Sequence, residues 1–212
     1  MPLSTQELQL LQKACDKLED GPDYRCTDYV SNVLLTALDF QMQVKLVNNA
    51  MEYFDKNHDI RNHQELRKLA NSFACTQPGN TKLANNLWNN NHWSRAKFLR
   101  MILDHFEARG IRDQPSLKCW VDSANFERDV ERQFKTEEHS IGYTIFQWLR
   151  LRVDIDTIKP DLHLLRFVSD TIGRDARPDE AVDGLTRVAR KSRRDAYRLD
   201  SAVRHYQHDK SD

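Results

Sequence analysis

The 212-residue chain has few of the residues that turn a backbone, six glycines and six prolines, too few for the closely spaced turns of a β-sandwich or barrel. It lacks any alternating stretch long enough to mark a strand. It lacks an apolar run near the roughly 20 residues a membrane span requires, and its first residues show none of the basic, apolar and small-residue sections of a secretory signal. These absences point to a cytoplasmic protein, associated with the nucleoid if the source is bacterial. Cys15, Cys26, Cys75 and Cys119 are dispersed without paired short spacing, so neither a zinc ribbon nor a cysteine-ligated iron–sulfur loop can be drawn, and buried thiols are expected. The eight histidines are scattered, with no His-Glu-x-x-His pattern, and no metal or cofactor is expected. Neither charge is in excess: 32 basic residues face 32 acidic ones, whereas binders of a phosphate backbone usually show a basic surplus.

What the chain does have is helical periodicity. Apolar residues recur at spacings of three and four in Leu3 to Leu18, Val30 to Phe54, Phe98 to Phe106, Phe126 to Phe134, Phe146 to Val153 and Leu162 to Ile172. Hydrophobic residues at 39% and charged residues at 30% are ordinary for a soluble globular chain, and the length suffices for one sizeable core or two small ones. The fold class is therefore all-α. Pro22 after Gly21, Gln77-Pro78-Gly79-Asn80 and Arg177-Pro178 are the clearest breaks, and there is no internal repeat. Between Thr186 and Tyr206, the cations Arg187, Arg190, Lys191, Arg193, Arg194, Arg198 and Arg204 face only Asp195 and Asp200. That cluster is either a phosphate-contacting face or an ordinary solvated helix surface.

Residues 136–173 concentrate the chemistry. His139, Ser140, Ile141 and Gly142 are too short and polar to continue the run that ends at Phe134. Gly142 can take dihedrals that restart a helix cheaply, so a helix near Tyr143 would present free N–H groups and its positive dipole end to an anion. Downstream, Pro160 stops one segment, and Asp161 stands at an N-cap ahead of Leu162, Leu165, Phe167, Val168 and Ile172. Backbone N–H bonds at such a cap favour the ionised carboxylate. They also cap many helices that do no chemistry, so the Asp has a structural and a functional reading.

Ile141-Gly142-Tyr143, followed by Asp161-Leu162-His163, resembles the hairpin and catalytic stretch of the helix-hairpin-helix DNA glycosylases. Residues 29–54 resemble that family's first core helices around a glutamine-bearing turn, with Gln41 matching the glutamine that wedges into the duplex, and 95–103 resemble a further core helix. The likeness covers about residues 25–206. Ser140 stands where the first hairpin glycine is usual. Thr144 stands where bifunctional members carry a lysine, which implies base removal without strand cleavage. The resemblance implies two helical lobes about a central cleft, near 27–135 and 1–26 plus 136–212, in a monomer without cofactor that binds double-stranded DNA. It implies hydrolysis of the N-glycosidic bond of a flipped, damaged or modified base, in base-excision repair or in anti-phage defence acting on a hypermodified phage cytosine. Asp161 would stabilise the oxocarbenium ion and orient water, while Gln41, Ser140, Ile141, Gly142, Tyr143, Thr144 and His163 would contact DNA. The alternative is a noncatalytic module that recognises distorted DNA.

Pocket candidates are fewer. Asp39 and Phe40 precede Gln41. Trp88 and Trp93 flank Asn89, Asn90, Asn91 and His92, with Asn85 and Asn86 just before, an amide-rich connection that suits stacking and hydrogen bonding to a base. An exposed turn with one buried tryptophan accounts for the same residues.

Overall fold

The structure is a computed structural model that describes residues 2–21, 26, 28–38, 42–134 and 141–209, with the backbone alone at 44, 208 and 209. Among them the chain is helical, with no strand: α1 (Thr5–Cys15), α2 (Tyr29–Leu38), α3 (Val44–Asn57), α4 (His63–Asn71), α5 (Gln77–Trp88), α6 (Trp93–Ala108), α7 (Gln114–Ser123), a π-helix (Phe126–Glu131), α8 (Tyr143–Arg152), α9 (Leu162–Ile172), α10 (Pro178–Ser192) and α11 (Ala196–Asp209). No described helix is long and apolar enough to cross a membrane.

The periodic run Val30 to Phe54 is divided between α2 and α3. The run beginning at Phe126 is not an α-helix: Asn125 caps a six-residue π-helix there. Two expected breaks are helix starts instead. Pro78 and Pro178 occupy the first turns of α5 and α10, where the N–H that proline lacks would have had no helical partner.

Close contacts divide the chain into two compact units, Met1–Arg25 with Phe146–Asp212, and Cys26–Ile145. In the first, Ser4 opens α1 with a capping box: Ser4 Oγ accepts from Glu7 N at 3.3 Å, and Ser4 N donates to Glu7 Oε2 at 2.7 Å. Leu11, Cys15, Leu164, Phe167, Leu185, Val188, Leu199 and Val203 fill the core of this unit. Gly21 lies so close to α11 that an added Cβ would stand 2.2 Å from Ser201 Oγ and 2.5 Å from its carbonyl carbon.

The second unit is built on α6, which packs against α2, α4 and α5. It buries Ala96, Phe98, Leu99, Ile102, Leu103 and Phe106 together with Arg95, Arg100 and His105. The buried cations have partners: Arg95 Nη1 donates to the carbonyls of Ala37 and Leu38, closing the end of α2. Arg100 donates to Asn80 Oδ1 and to the Phe73 carbonyl, each at 2.8 Å. Such bonds are required of charges taken out of water.

Candidate functional site

Asp161 follows Pro160 in extended conformation (φ −85°, ψ −178°) and caps α9. Its Oδ1 accepts from the backbone N–H of His163 at 3.1 Å and of Leu164 at 3.2 Å. Its Oδ2 accepts from Nη1 of Arg204, on α11. The same guanidinium donates through Nε to Asp200 Oδ2 at 2.6 Å and through Nη2 to the Lys159 carbonyl at 3.3 Å. Asp200 Oδ1 in turn accepts from Lys159 N at 2.7 Å. One arginine thus serves two carboxylates, and the segment carrying Lys159 is stitched to α11. The side chains of Asp161 and Arg204 are 17% and 16% exposed, so solvent reaches both, whereas Asp200 is fully buried. Burial pushes the Asp200 carboxyl above its ordinary value, with the Arg204 charge and the Lys159 N–H pulling the other way.

Trp148 of α8 gathers three cations around its ring: Lys159 Nζ lies 4.4 Å from the centroid, Arg152 Cζ 5.4 Å and Arg204 Cζ 5.7 Å. A carboxylate offers about four lone-pair positions. Two backbone N–H groups and one guanidinium N–H take three of those on Asp161, which leaves one acceptor position unfilled among the described residues, open to a water or a ligand hydroxyl.

The hairpin residues lie in the other unit, whose boundary falls within α8. Ile141 is buried and its N–H donates to the Phe134 carbonyl at 3.0 Å. Gly142 departs from expectation: it is not among the residues with positive φ, and an added Cβ would meet nothing within 4 Å. Neither backbone strain nor packing demands glycine there, so its effect is to keep the surface before α8 clear. Tyr143 and Thr144 are half-buried in the first turn of α8, with Tyr143 edge-on to Phe126 at 5.3 Å.

Gln41, Asp39, Phe40 and Ser140 lie outside the described residues. His163 is half-buried in the first turn of α9 and gives its backbone N–H to Asp161, while Arg166 is exposed. Trp88 is buried at the end of α5, and Trp93 is half-buried with Lys97 Nζ 5.8 Å from its ring. Asn85 and Asn86 belong to α5, so the connection is shorter than the sequence suggested.

The basic cluster is largely neutralised. Arg187 pairs with Asp183, Arg194 with Asp20, Arg198 with Asp20 and Asp195, and Arg204 with Asp161 and Asp200. Arg190, Lys191 and Arg193, exposed at the end of α10, have no ion pair among the described residues. The helix dipole favours cations there. The expectation of buried thiols holds for Cys15, whose thiol burial pushes up to about 12. Cys75 and Cys119 are exposed instead, and Cys26 is intermediate, because dispersed positions on amphipathic elements need not share one face. Among the described residues no three His, Cys, Asp or Glu side chains converge as metal ligands.

Sequence reasoning missed Asp200 and Lys159 as neighbours of Asp161 and took Arg204 for a surface cation. The signal available was the i, i+4 spacing of Asp200 and Arg204 on one helix face. Known protein families, characterised proteins and solved structures offer no match to this chain.

Proposed function

We propose that the protein is a monofunctional DNA glycosylase, hydrolysing the N-glycosidic bond of a damaged or modified base turned out of double-stranded DNA. The observation that carries this reading is the half-buried carboxylate of Asp161, fixed by two helix N–H groups and Arg204 with one acceptor position unfilled. As a base departs, the deoxyribose becomes an oxocarbenium ion, and a carboxylate about 4 Å away stabilises that cation by about 4 kcal/mol at an effective dielectric near 20. The unfilled position can hold the attacking water and take its proton. Gly142, open to solvent ahead of α8, supports close approach of a DNA backbone, its phosphate facing the first N–H groups of the helix. Thr144 in place of an amine supports hydrolysis without strand cleavage. Within this reading the protein is a monomer without cofactor, and a hypermodified phage cytosine is the narrower substrate.

A second reading, a noncatalytic module for distorted DNA, is favoured by Arg204, which already neutralises much of the charge on Asp161. Asp161→Asn separates the two, because Asn still caps α9 while the negative charge is gone. On a panel of duplexes carrying alkylated, oxidised, deaminated or glucosylated bases, the parent protein generates abasic sites from at least one, and D161N loses about 10²–10⁴-fold in rate with duplex binding retained. Binding without base release on every duplex favours the module; release undiminished in D161N removes Asp161 from the chemistry.

A further inference from the structure

Two helix ends of the first unit meet and bring together charge that local pairs leave over. Gln12, in the last turn of α1, donates through Nε2 to Oγ of Ser192, the last residue of α10, at 2.6 Å. Just beyond both helices Arg194 pairs with Asp20. Around this junction Lys13, Lys17, Arg190, Lys191 and Arg193 are exposed, and none of their side chains has a partner among the described residues. Residues 13–20 and 183–198 together hold eight Lys and Arg against five Asp and Glu, an excess of three. Asp23 and Arg25, next in sequence, cancel. The ordinary reason for cations here is the dipole of a helix C-terminus, about −0.5 of a charge for each of two helices. That accounts for about one of the three. The rest is a local surplus in a chain whose total is zero. Arg193, moreover, carries its cation at φ 54° and ψ 38°, a backbone that suits glycine best.

We infer that the joined ends of α1 and α10 form a phosphate-contacting surface for double-stranded DNA, separate from the Asp161 carboxylate. Exposed cations spread over two helix ends suit an extended polyanion better than one small anion. From Arg187 to Arg193 the chain rises about 9 Å, a length over which a duplex carries about five phosphates. A lipid surface fits less well: α1 adds a single exposed large apolar side chain, Leu10, whereas a basic helix that enters a membrane interface presents an apolar face. The choice of DNA rests in part on the glycosylase reading. α11 begins at Ala196 and rises about 12 Å to Arg204, whose guanidinium holds Asp161. That distance is short beside the roughly 34 Å of one duplex turn, so one duplex is long enough to reach both.

Anisotropy titration of the full chain with an undamaged duplex of about 20 base pairs, at about 50 to 200 mM salt, tests the assignment. R190Q/K191Q/R193G weakens binding at least about tenfold and lowers the slope of log K against log salt by about 2 to 3. R190K/K191R/R193K, which keeps the charges, keeps affinity and slope. K56Q/K68Q/K82Q, which removes three exposed lysines of the other unit, also keeps the slope. No duplex binding, an unchanged slope in R190Q/K191Q/R193G, an equal loss in the lysine control, or binding to phosphatidylglycerol vesicles in place of duplex overturns the proposal. The duplex carries no damaged base, so the readout is independent of base release. Patch-dependent binding by a protein that frees no base removes the glycosylase reading alone; base release with an unchanged slope removes this inference alone.

Discussion

A guanidinium shared between two carboxylates fixes what each can do. Arg204 leaves Asp200 paired in a fully buried position and Asp161 paired at the edge of solvent. Arg204→Met strands the Asp200 charge with only the Lys159 N–H, and removing one partner of a buried pair costs about 3–5 kcal/mol. The double variant D200N/R204M recovers most of that loss in urea denaturation, because Asn still accepts from Lys159 N, and Asp161, at the edge of solvent, keeps its two backbone donors. Equal stability of the single and double variants would refute the role given to Arg204. The cap at Asp161 was legible in sequence because Pro160, Asp161 and the first turn of α9 are contiguous. Arg204 was not, since it arrives from 43 positions away, and its i, i+4 spacing from Asp200 on α11 says nothing of Asp161.

At the level of helices, local signals decided where elements begin and end. Ser4, Asn62, Thr76, Asp113, Asn125 and Asp161 each put a side-chain oxygen on a first-turn N–H. The prolines at 78 and 178, taken from sequence as breaks, mark the same boundaries from the helical side. The end of α10 is less well matched to its residue: Arg193 holds φ 54° and ψ 38° at the cap, a region that strains most side chains. Arg193→Gly removes that strain without breaking an ion pair and raises stability by about 1 kcal/mol, seen as a higher denaturation midpoint. A lower midpoint would mean that the arginine makes a contact worth more than the strain. The π-helix at Phe126–Glu131 was not legible, because six residues are too few for periodicity to separate one helix type from another.

On the scale of the molecule, neutral composition becomes a mosaic of local pairs, and acid titration is the measurement that probes it. His105 is buried in α6, its ring centroid 3.8 Å from that of Phe134. Burial first, then the charge of Arg109, hold it down at about 4. The unfolded chain therefore binds more protons than the folded one between about pH 6.5 and 4, and stability falls as pH drops through that window, by up to about 3 kcal/mol. His63, lowered by burial, adds in the same direction. Below that range Glu7 and Asp129, each held near 2, have the opposite charge type but the same slope: their stabilisation is complete above the usual carboxylate range and is lost as pH falls toward 2. Denaturation midpoints at pH 7, 5.5 and 4 check the first window, and H105F, which keeps a ring in the same packing, flattens it; an unchanged slope would assign the loss to other groups.

The sequence by itself determined the all-helical character, the capped starts of the helices and the position of Asp161 at the head of α9, because each depends on residues within one or two turns of one another. Only the tertiary structure decided that Arg204 meets Asp161, that the basic stretch is mostly paired, and that the cations left over at the end of α10 meet those of α1. Those outcomes depend on which faces of distant helices pack together, and burial of apolar side chains sets that packing while carrying the polar groups along.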